Sequence, residues 1–122
     1  MIRPLVVSVV AFLFFLGPNG PPSNVRGQNS SSTSIFVQWS NVPAADQNGV
    51  ILSYTVTYKA LPDGSPQTKV VSAPTTHVTL TDLNEYTNYS ITVFASTRKG
   101  NGNTSVPMIV ITDEDSKFLS NL

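Results

Sequence analysis

Three tripeptides in this chain have the spacing that N-linked glycosylation requires. They are Asn29-Ser30-Ser31, Asn88-Tyr89-Ser90 and Asn103-Thr104-Ser105. In each one an asparagine amide is followed two positions later by a hydroxyl, the acceptor pattern of proteins that enter the secretory pathway. Chance is the alternative, because the chain is rich in Asn, Ser and Thr. Asn29 and Asn103 fall in predicted turns, and Asn88 precedes a predicted inward tyrosine, so all three are candidate glycan sites.

Groups that could perform catalysis are sparse. His77 is the single histidine, and the alternation around it points its side chain away from the core. The carboxylates of Asp46, Asp63, Asp82 and Glu85 fall in or beside separate turns, where Asp commonly caps local backbone. No pair is spaced for acid-base work. We therefore predict no enzymatic activity, no catalytic residue, no cofactor and no small-molecule substrate.

Two clusters of charge are candidates for contacts with other molecules. Asp113-Glu114-Asp115 could offer oxygen ligands to calcium, but consecutive residues at a strand end point in alternate directions, which favours a solvated terminus. We predict no metal site. Arg98 and Lys99 lie in the polar, glycine-rich residues 97–104, a predicted hairpin loop. Loops on a rigid scaffold commonly carry binding function, so this pair is the best candidate for a protein contact; a solvated hairpin tip is the alternative.

Length and composition narrow the class of protein. The chain has 122 residues, a formal net charge of zero and only 11% charged residues, with Lys and Arg scattered singly apart from Arg98-Lys99. No basic stripe could follow a phosphate backbone, so we do not expect nucleic acid as a partner. The absence of cysteine removes disulfides, so the core alone must hold the fold.

The first residues differ from the rest of the chain. Residues 1–20 contain one early cation, Arg3, followed by an apolar run over residues 5–16. The run fits a signal-peptide core of roughly 7–15 residues and is shorter than the roughly 20 that span a bilayer. A buried strand is the alternative, and the cleavage pattern around residues 17–20 is poor. We interpret residues 1–20 as a hydrophobic leader and linker, which places the following domain outside the cell, with membrane contact only if the leader is uncleaved or the chain is a receptor fragment.

The elements that must position these residues are strands. Alternating apolar and polar residues predict seven short strands separated by Pro, Gly, Asn and Asp turns, with no helical period. The first, around Val25, is short and at an edge, and the last spans residues 105–112. This pattern is typical of an antiparallel sandwich of two sheets. The predicted core includes Trp39, Tyr54, Val56, Leu83, Tyr89, Ile91 and Val93.

The last strand contains four consecutive apolar residues, so its alternation has no definite phase. Either Ile109 and Ile111 or Met108 and Val110 are exposed on an edge strand. Such a strand packs under the fold or pairs with a neighbour.

The combined motifs resemble the fibronectin type III family. The resemblance rests on Pro21-Pro22 with Val25, on the pattern Ser34-Ile35-x-Val37-x-Trp39, on the segment of residues 48–58, and most strongly on the alternation from Leu83 through Thr87 and Tyr89 to Ala95, with Gly100, Gly102 and Ser105 behind it. It implies a seven-stranded immunoglobulin-like β-sandwich over residues 21–115, followed by a disordered tail at residues 116–122. Tyr86 departs from the family pattern, because a proline or small turn residue is frequent there.

The resemblance also implies a site and a role. The hydroxyl of Tyr89 would bond a backbone group in residues 83–87, as in a tyrosine corner. The loops at residues 40–50, 73–75 and 97–104 would cluster at one end of the sandwich. The implied function is that of a secreted or cell-surface module that binds a protein partner at the cell surface or matrix. The alternative is a passive spacer or a fragment of a larger receptor with no ligand of its own.

Overall fold

The computed structural model describes residues 17–114. Residues 1–16 and 115–122 lie outside the described residues, and so do the leader and tail predicted there. The described part forms eight strands and a 3-10 turn at Ala44–Asp46. The strands are β1 (Ser23–Ser31), β2 (Ser34–Ser40), β3 (Ser53–Ala60), β4 (Gln67–Ser72), β5 (His77–Leu80), β6 (Asn88–Thr97), β7 (Gly100–Asn101) and β8 (Met108–Ile111).

The strands form two antiparallel sheets. One has the order β1-β2-β5, and the other has β4-β3-β6-β7, with β8 also paired to β6. The β-branched and aromatic residues that alternate along β2, β3 and β6 suit a pleated surface with one buried face, and these strands lie at the centre of the sheets. The predicted all-β sandwich is confirmed.

The core lies between the sheets and contains every side chain that the sequence analysis assigned to it. Trp39 is 5% exposed, and its ring centroid lies 5.3 Å from that of Tyr54 at a tilt of 58°. Val56, Ile91 and Val93 are completely buried, and Leu83 and Tyr89 are buried beside them. The Trp39 indole N–H has no hydrogen-bond partner in residues 17–114. The indole therefore stabilises the core through its apolar area alone.

The first strand is longer than predicted. β1 runs for nine residues, and Val25 is the one apolar side chain along it. Gly27 is half-buried, and a Cβ built on it would lie 2.9 Å from Met108 Cε and 3.0 Å from Val110 Cγ2. Glycine at this position leaves room for the Met108 and Val110 side chains of β8, so β1 packs there without an apolar side chain of its own and shows little apolar alternation in the sequence.

The final strand, predicted at residues 105–112, is shorter in the structure, where β8 covers Met108–Ile111, and the short β7 lies within the predicted loop at residues 97–104. Both β7 and β8 pair with the same edge of β6. Between the Thr97–Gly100 pair and the Ile91–Met108 pair, β6 advances six positions while the opposite side advances eight. The segment between β7 and β8 therefore has two more residues than the stretch of β6 opposite it, and these bulge out of the sheet. Residues 105–107 were predicted to be in a strand, but in the structure they are not. Ser105 keeps the two sides attached: its N–H donates to the Val93 carbonyl at 2.9 Å, and its Oγ accepts from the Val93 N–H at 2.9 Å.

The phase of β8 is fixed by its register with β6. Val110 lies opposite Tyr89 and Met108 opposite Ile91, so these two side chains face the core. Ile109 and Ile111 face solvent, with 55% and 39% of their surface exposed.

Residues 17–20, which the sequence analysis placed in a linker, pack against the domain. A Cβ on Gly17 would lie 2.5 Å from the carbonyl oxygens of Gly100 and Asn101, and the Asn19 N–H donates to the Asp46 carbonyl at 2.7 Å. Glycine at position 17 permits this approach because it has no side chain. The folded unit therefore extends to Gly17.

Candidate binding surface

Three connections meet at the end of the sandwich where β2, β4 and β6 finish. They are the β2–β3 loop at residues 41–52, the β4–β5 turn at residues 73–76 and the β6–β7 turn at residues 98–99. The antiparallel order brings them to the same end, and the segment at residues 17–20 packs beside them. We call this end of the molecule the loop end.

The β2–β3 loop is fixed by hydrogen bonds that converge on Asn41. Its Oδ1 accepts the Tyr54 hydroxyl at 2.6 Å and the Val42 N–H at 2.8 Å. The Gln47 side chain then closes the loop by donating to the Val42 carbonyl at 2.9 Å. Burial raises the pKa of the Tyr54 hydroxyl above its usual value, so this donor stays protonated at neutral pH. Asn41 has no sequence motif, and the sequence analysis did not identify its role.

A shallow concavity of about 370 Å³ lies between this loop and the β4–β5 turn. Asn41, Tyr54, Ile51 and Pro74 contribute to its walls, and Val50 lies at its rim with 77% of its surface exposed. The concavity combines amide and hydroxyl groups with apolar surface and contains no ionisable side chain except Tyr54. Such a surface suits contact with a protein chain.

Arg98 and Lys99 form the tip of the β6–β7 hairpin, and both are exposed. The predicted loop at residues 97–104 is tighter than expected, because β6 continues to Thr97 and β7 begins at Gly100. Gly100 has a φ of 151°, which glycine adopts readily, and the Lys99 N–H donates to Thr97 Oγ1 at 3.2 Å. A Cβ on Gly49 would lie 3.8 Å from the Thr97 methyl group, so the hairpin lies next to the β2–β3 loop.

The opposite end of the sandwich contains the tyrosine corner. The Tyr89 hydroxyl accepts the Asn84 N–H at 2.7 Å, within the segment that the resemblance indicated. Thr112 completes the corner: its Oγ1 donates to the Asn84 carbonyl at 2.7 Å and accepts the Thr87 N–H at 3.0 Å. Thr112 is 1% exposed and was not predicted, because a threonine after a strand gives no sequence signal of burial. Tyr86 has a φ of 44°, a left-handed conformation that is uncommon for an aromatic residue.

The three candidate glycan sites are all exposed, but their amides differ. Asn29 Nδ2 donates to Asp113 Oδ1 at 2.6 Å, and Asn103 Nδ2 donates to the Asn19 carbonyl at 2.7 Å. Asn88 begins β6, and its side chain makes no hydrogen bond to residues 17–114.

The residues weighed for catalysis are not brought together. His77 is exposed on the outer face of the three-stranded sheet, with its ring centroid 5.8 Å from that of Phe36. Among residues 17–114 there is no group of three or more His, Cys, Asp or Glu side chains that could hold a metal ion. Within the same range no helix has the length and hydropathy needed to cross a membrane.

The family profile described as "Fibronectin type III domain" matches residues 20–111. The chain belongs to this family. Among similar proteins, sidekick-1 of Gallus gallus is 40% identical over 100 residues, and the cell adhesion molecule Dscam2 of Drosophila melanogaster is 39% identical over 102 residues. Each match covers 80% of this chain and 5% of the other protein. The chain thus spans about one twentieth of the length of these relatives.

A solved structure shows the same fold. The crystal structure of chicken CNTN1 FN1-FN3 domains matches with a TM-score of 0.72 and 28% identity, over 80% of this chain and 32% of that one. The chain is therefore a fibronectin type III domain homologous to parts of adhesion proteins. The family match itself gives no indication of catalysis.

Proposed function

We propose that this fibronectin type III domain is a non-catalytic extracellular module that binds a protein partner through its loop end. The observation that carries the proposal is the convergence of three connections at one end of the sandwich, where the β2–β3 loop and the β4–β5 turn line a concavity and the β6–β7 turn lies next to the β2–β3 loop. Exposed Arg98, Lys99 and Val50 offer two cations and an apolar side chain at this end. Relatives that include a cell adhesion molecule support a binding role.

The loop end is suited to recognition because its shape is preformed. The bonds from Tyr54 and Gln47 fix the β2–β3 loop, and the two-residue turn limits the movement of Arg98 and Lys99. A preformed surface loses less conformational entropy on binding, so few contacts are needed for useful affinity.

An extracellular location is part of the proposal. It is supported by the apolar run at residues 5–16 of the predicted leader, by the three glycosylation sequons and by the similarity to a cell adhesion molecule. Expression of the full chain in a eukaryotic secretory host tests it. Protein in the medium that carries N-linked glycans and begins after the leader supports secretion, and its N-terminal sequence locates the cleavage site. Unmodified protein that stays inside the cell contradicts it.

A binding screen tests the loop end directly. The full chain, multimerised on beads, is tested against an array of purified cell-surface ectodomains that includes the chain itself. A variant with Arg98→Glu and Lys99→Glu changes the loop end. A control with Asp63→Lys and Glu85→Lys reverses the same number of exposed charges near the opposite end.

We expect at least one ectodomain to bind, with at least tenfold weaker binding for the loop-end variant and unchanged binding for the control. Equal binding by both variants would refute the loop end as the contact surface.

A passive spacer is the second candidate, and one observation favours it. Gly17 packs at the loop end, whereas the Asp113 N–H bonds the Ser31 carbonyl at the opposite end, at 3.3 Å. The described segment therefore runs from one end of the sandwich to the other, as a spacer requires. Absence of any partner in the screen would favour this alternative.

A further inference from the structure

β8 presents apolar surface at the edge of a sheet. Ile109 and Ile111 are 55% and 39% exposed on its outer face, and among the described residues β8 pairs only with β6. An apolar edge strand is a template for pairing with another chain, and native proteins commonly cover or charge such edges. No charged side chain lies within β8. β1 packs against the inner side of β8 at Gly27, but neither sheet covers the outer face of β8 at Ile109 and Ile111.

The register places a glycosylation sequon beside this surface. Asn88 lies directly opposite Ile111, and Ser90 lies opposite Ile109. Directly opposed side chains on neighbouring antiparallel strands have Cβ atoms about 4.5–5.5 Å apart and share one face of the sheet. Tyr89 and Val110 alternate into the core between them. The Asn88 amide and the two exposed isoleucines therefore share the solvent face.

Hydrogen bonding distinguishes Asn88 from the other two sequons. Glycan attachment replaces one hydrogen of the side-chain amide nitrogen. In Asn29 and Asn103 that nitrogen already donates a hydrogen bond within the fold, at 2.6 and 2.7 Å. The Asn88 nitrogen has no such bond to residues 17–114. A sugar at Asn88 therefore displaces no contact of the folded domain.

There is open space next to Ile111. A concavity of about 540 Å³ borders Ile111 and is also lined by Tyr86, which is 66% exposed, and by Asn29 of the first sequon. The C–H faces of a pyranose ring can pack on aliphatic and aromatic side chains, and both are available here. The polar edges of the ring would remain in water.

We infer that Asn88 carries an N-linked glycan whose first sugars lie over Ile111 and Ile109 and prevent β8 from pairing with a second copy of the chain. The inference rests on the extracellular location proposed above, since N-glycosylation requires the secretory pathway. It concerns the opposite end of the molecule from the loop end. A failed ectodomain screen would therefore contradict the proposed loop-end contact, whereas an unmodified Asn88 would contradict only the present inference.

The test compares glycoforms of the full chain, produced behind a strong secretion signal in a glycosylating host. Asn88→Gln and Ser90→Ala each remove this sequon by a different change. Asn103→Gln removes another sequon and leaves β8 untouched, so it is the matched control. Ile109→Thr with Ile111→Thr, added to Asn88→Gln, removes the apolar surface as well. Glycopeptide mass spectrometry reports occupancy, sedimentation velocity reports self-association, and circular dichroism identifies variants that remain folded.

We expect a glycan at Asn88 and a monomeric parent. Asn88→Gln and Ser90→Ala should each self-associate at least tenfold more strongly than the parent and the Asn103→Gln control, and the two threonine changes should restore the monomer. The inference would be overturned if Asn88 carries no glycan, or if the variants without the glycan remain monomeric. It would also be overturned if the two threonine changes do not reduce the self-association of Asn88→Gln.

Discussion

Replacing Tyr89 with phenylalanine removes one hydroxyl from the corner and leaves the aromatic ring in the core. Tyr89 is 5% exposed, and its hydroxyl is the acceptor for the Asn84 N–H at 2.7 Å. Without it this part-buried backbone donor loses its partner, which costs about 1–3 kcal/mol. Against a total stability of about 5–15 kcal/mol this is a large fraction.

The corresponding change in melting temperature can be worked out from the size of the domain. For a domain of 60–100 residues each kcal/mol shifts Tm by roughly 4–8 °C, so we expect Tyr89→Phe to melt about 4–24 °C below the parent. Urea unfolding should show a lower midpoint with an unchanged slope, because the same surface is exposed on unfolding. Protein from a bacterial host should be used, so that no glycan contributes.

A second tyrosine supplies the control. Tyr86 is 66% exposed, and its hydroxyl bonds no atom in residues 17–114, so Tyr86→Phe should change stability by less than about 0.5 kcal/mol. If Tyr89→Phe has the same urea midpoint and melting temperature as the parent, the hydroxyl bond does not stabilise the corner and the reasoning is refuted.

Three further changes test the buried polar groups. Tyr54→Phe removes the hydrogen bond to Asn41. Because burial raises the Tyr54 pKa, the free energy of unfolding of the parent should fall as the pH rises above about 10. Urea unfolding at pH 9 and pH 11 should show a smaller fall in Tyr54→Phe than in the parent. Thr112→Val keeps the volume but leaves two backbone groups without partners, so calorimetry should show a loss of about 2–4 kcal/mol, whereas Thr112→Ser should keep most of the stability. Ser105→Ala removes the acceptor of the Val93 N–H and should cost about 1–3 kcal/mol, with faster hydrogen exchange at that amide; unchanged exchange would contradict the assigned bond.

The central strands could be predicted because burial of one face fixes their composition. Trp39, Tyr54 and Ile91 belong to segments where apolar residues recur at every second position, and the structure buries them. β1 could not be bounded in this way, since it faces β8 with Gly27 and its packing depends on the absence of a side chain. The phase of β8 could not be predicted either, because its consecutive apolar residues are compatible with either set facing the core. The pairing of Val110 with Tyr89 determines which set is buried.

The candidate site was predictable only in part. Arg98 and Lys99 were recognised as a polar tip, but the sequence pattern alone could not place that tip beside the β2–β3 loop; the resemblance to the family implied it. The polar groups at Asn41 and Thr112 were missed because their partners lie 13 and 28 positions away in the chain. Such partners follow from the tertiary arrangement and leave no local spacing to detect.

The opposite placement of the two ends of the described segment has a mechanical consequence. β1 begins at the loop end, with Ser23 opposite Ser40, while Asp113 is tethered to Ser31 at the other end. Tension applied at Gly17 and Glu114 would run along the strands and load the β1–β2 bonds together in shear. Forced unfolding follows the unfolding rate, not the equilibrium stability. Single-molecule stretching from residues 17 and 114 should therefore require higher force than stretching from residues 17 and 40, which peels β1 from β2 one bond at a time.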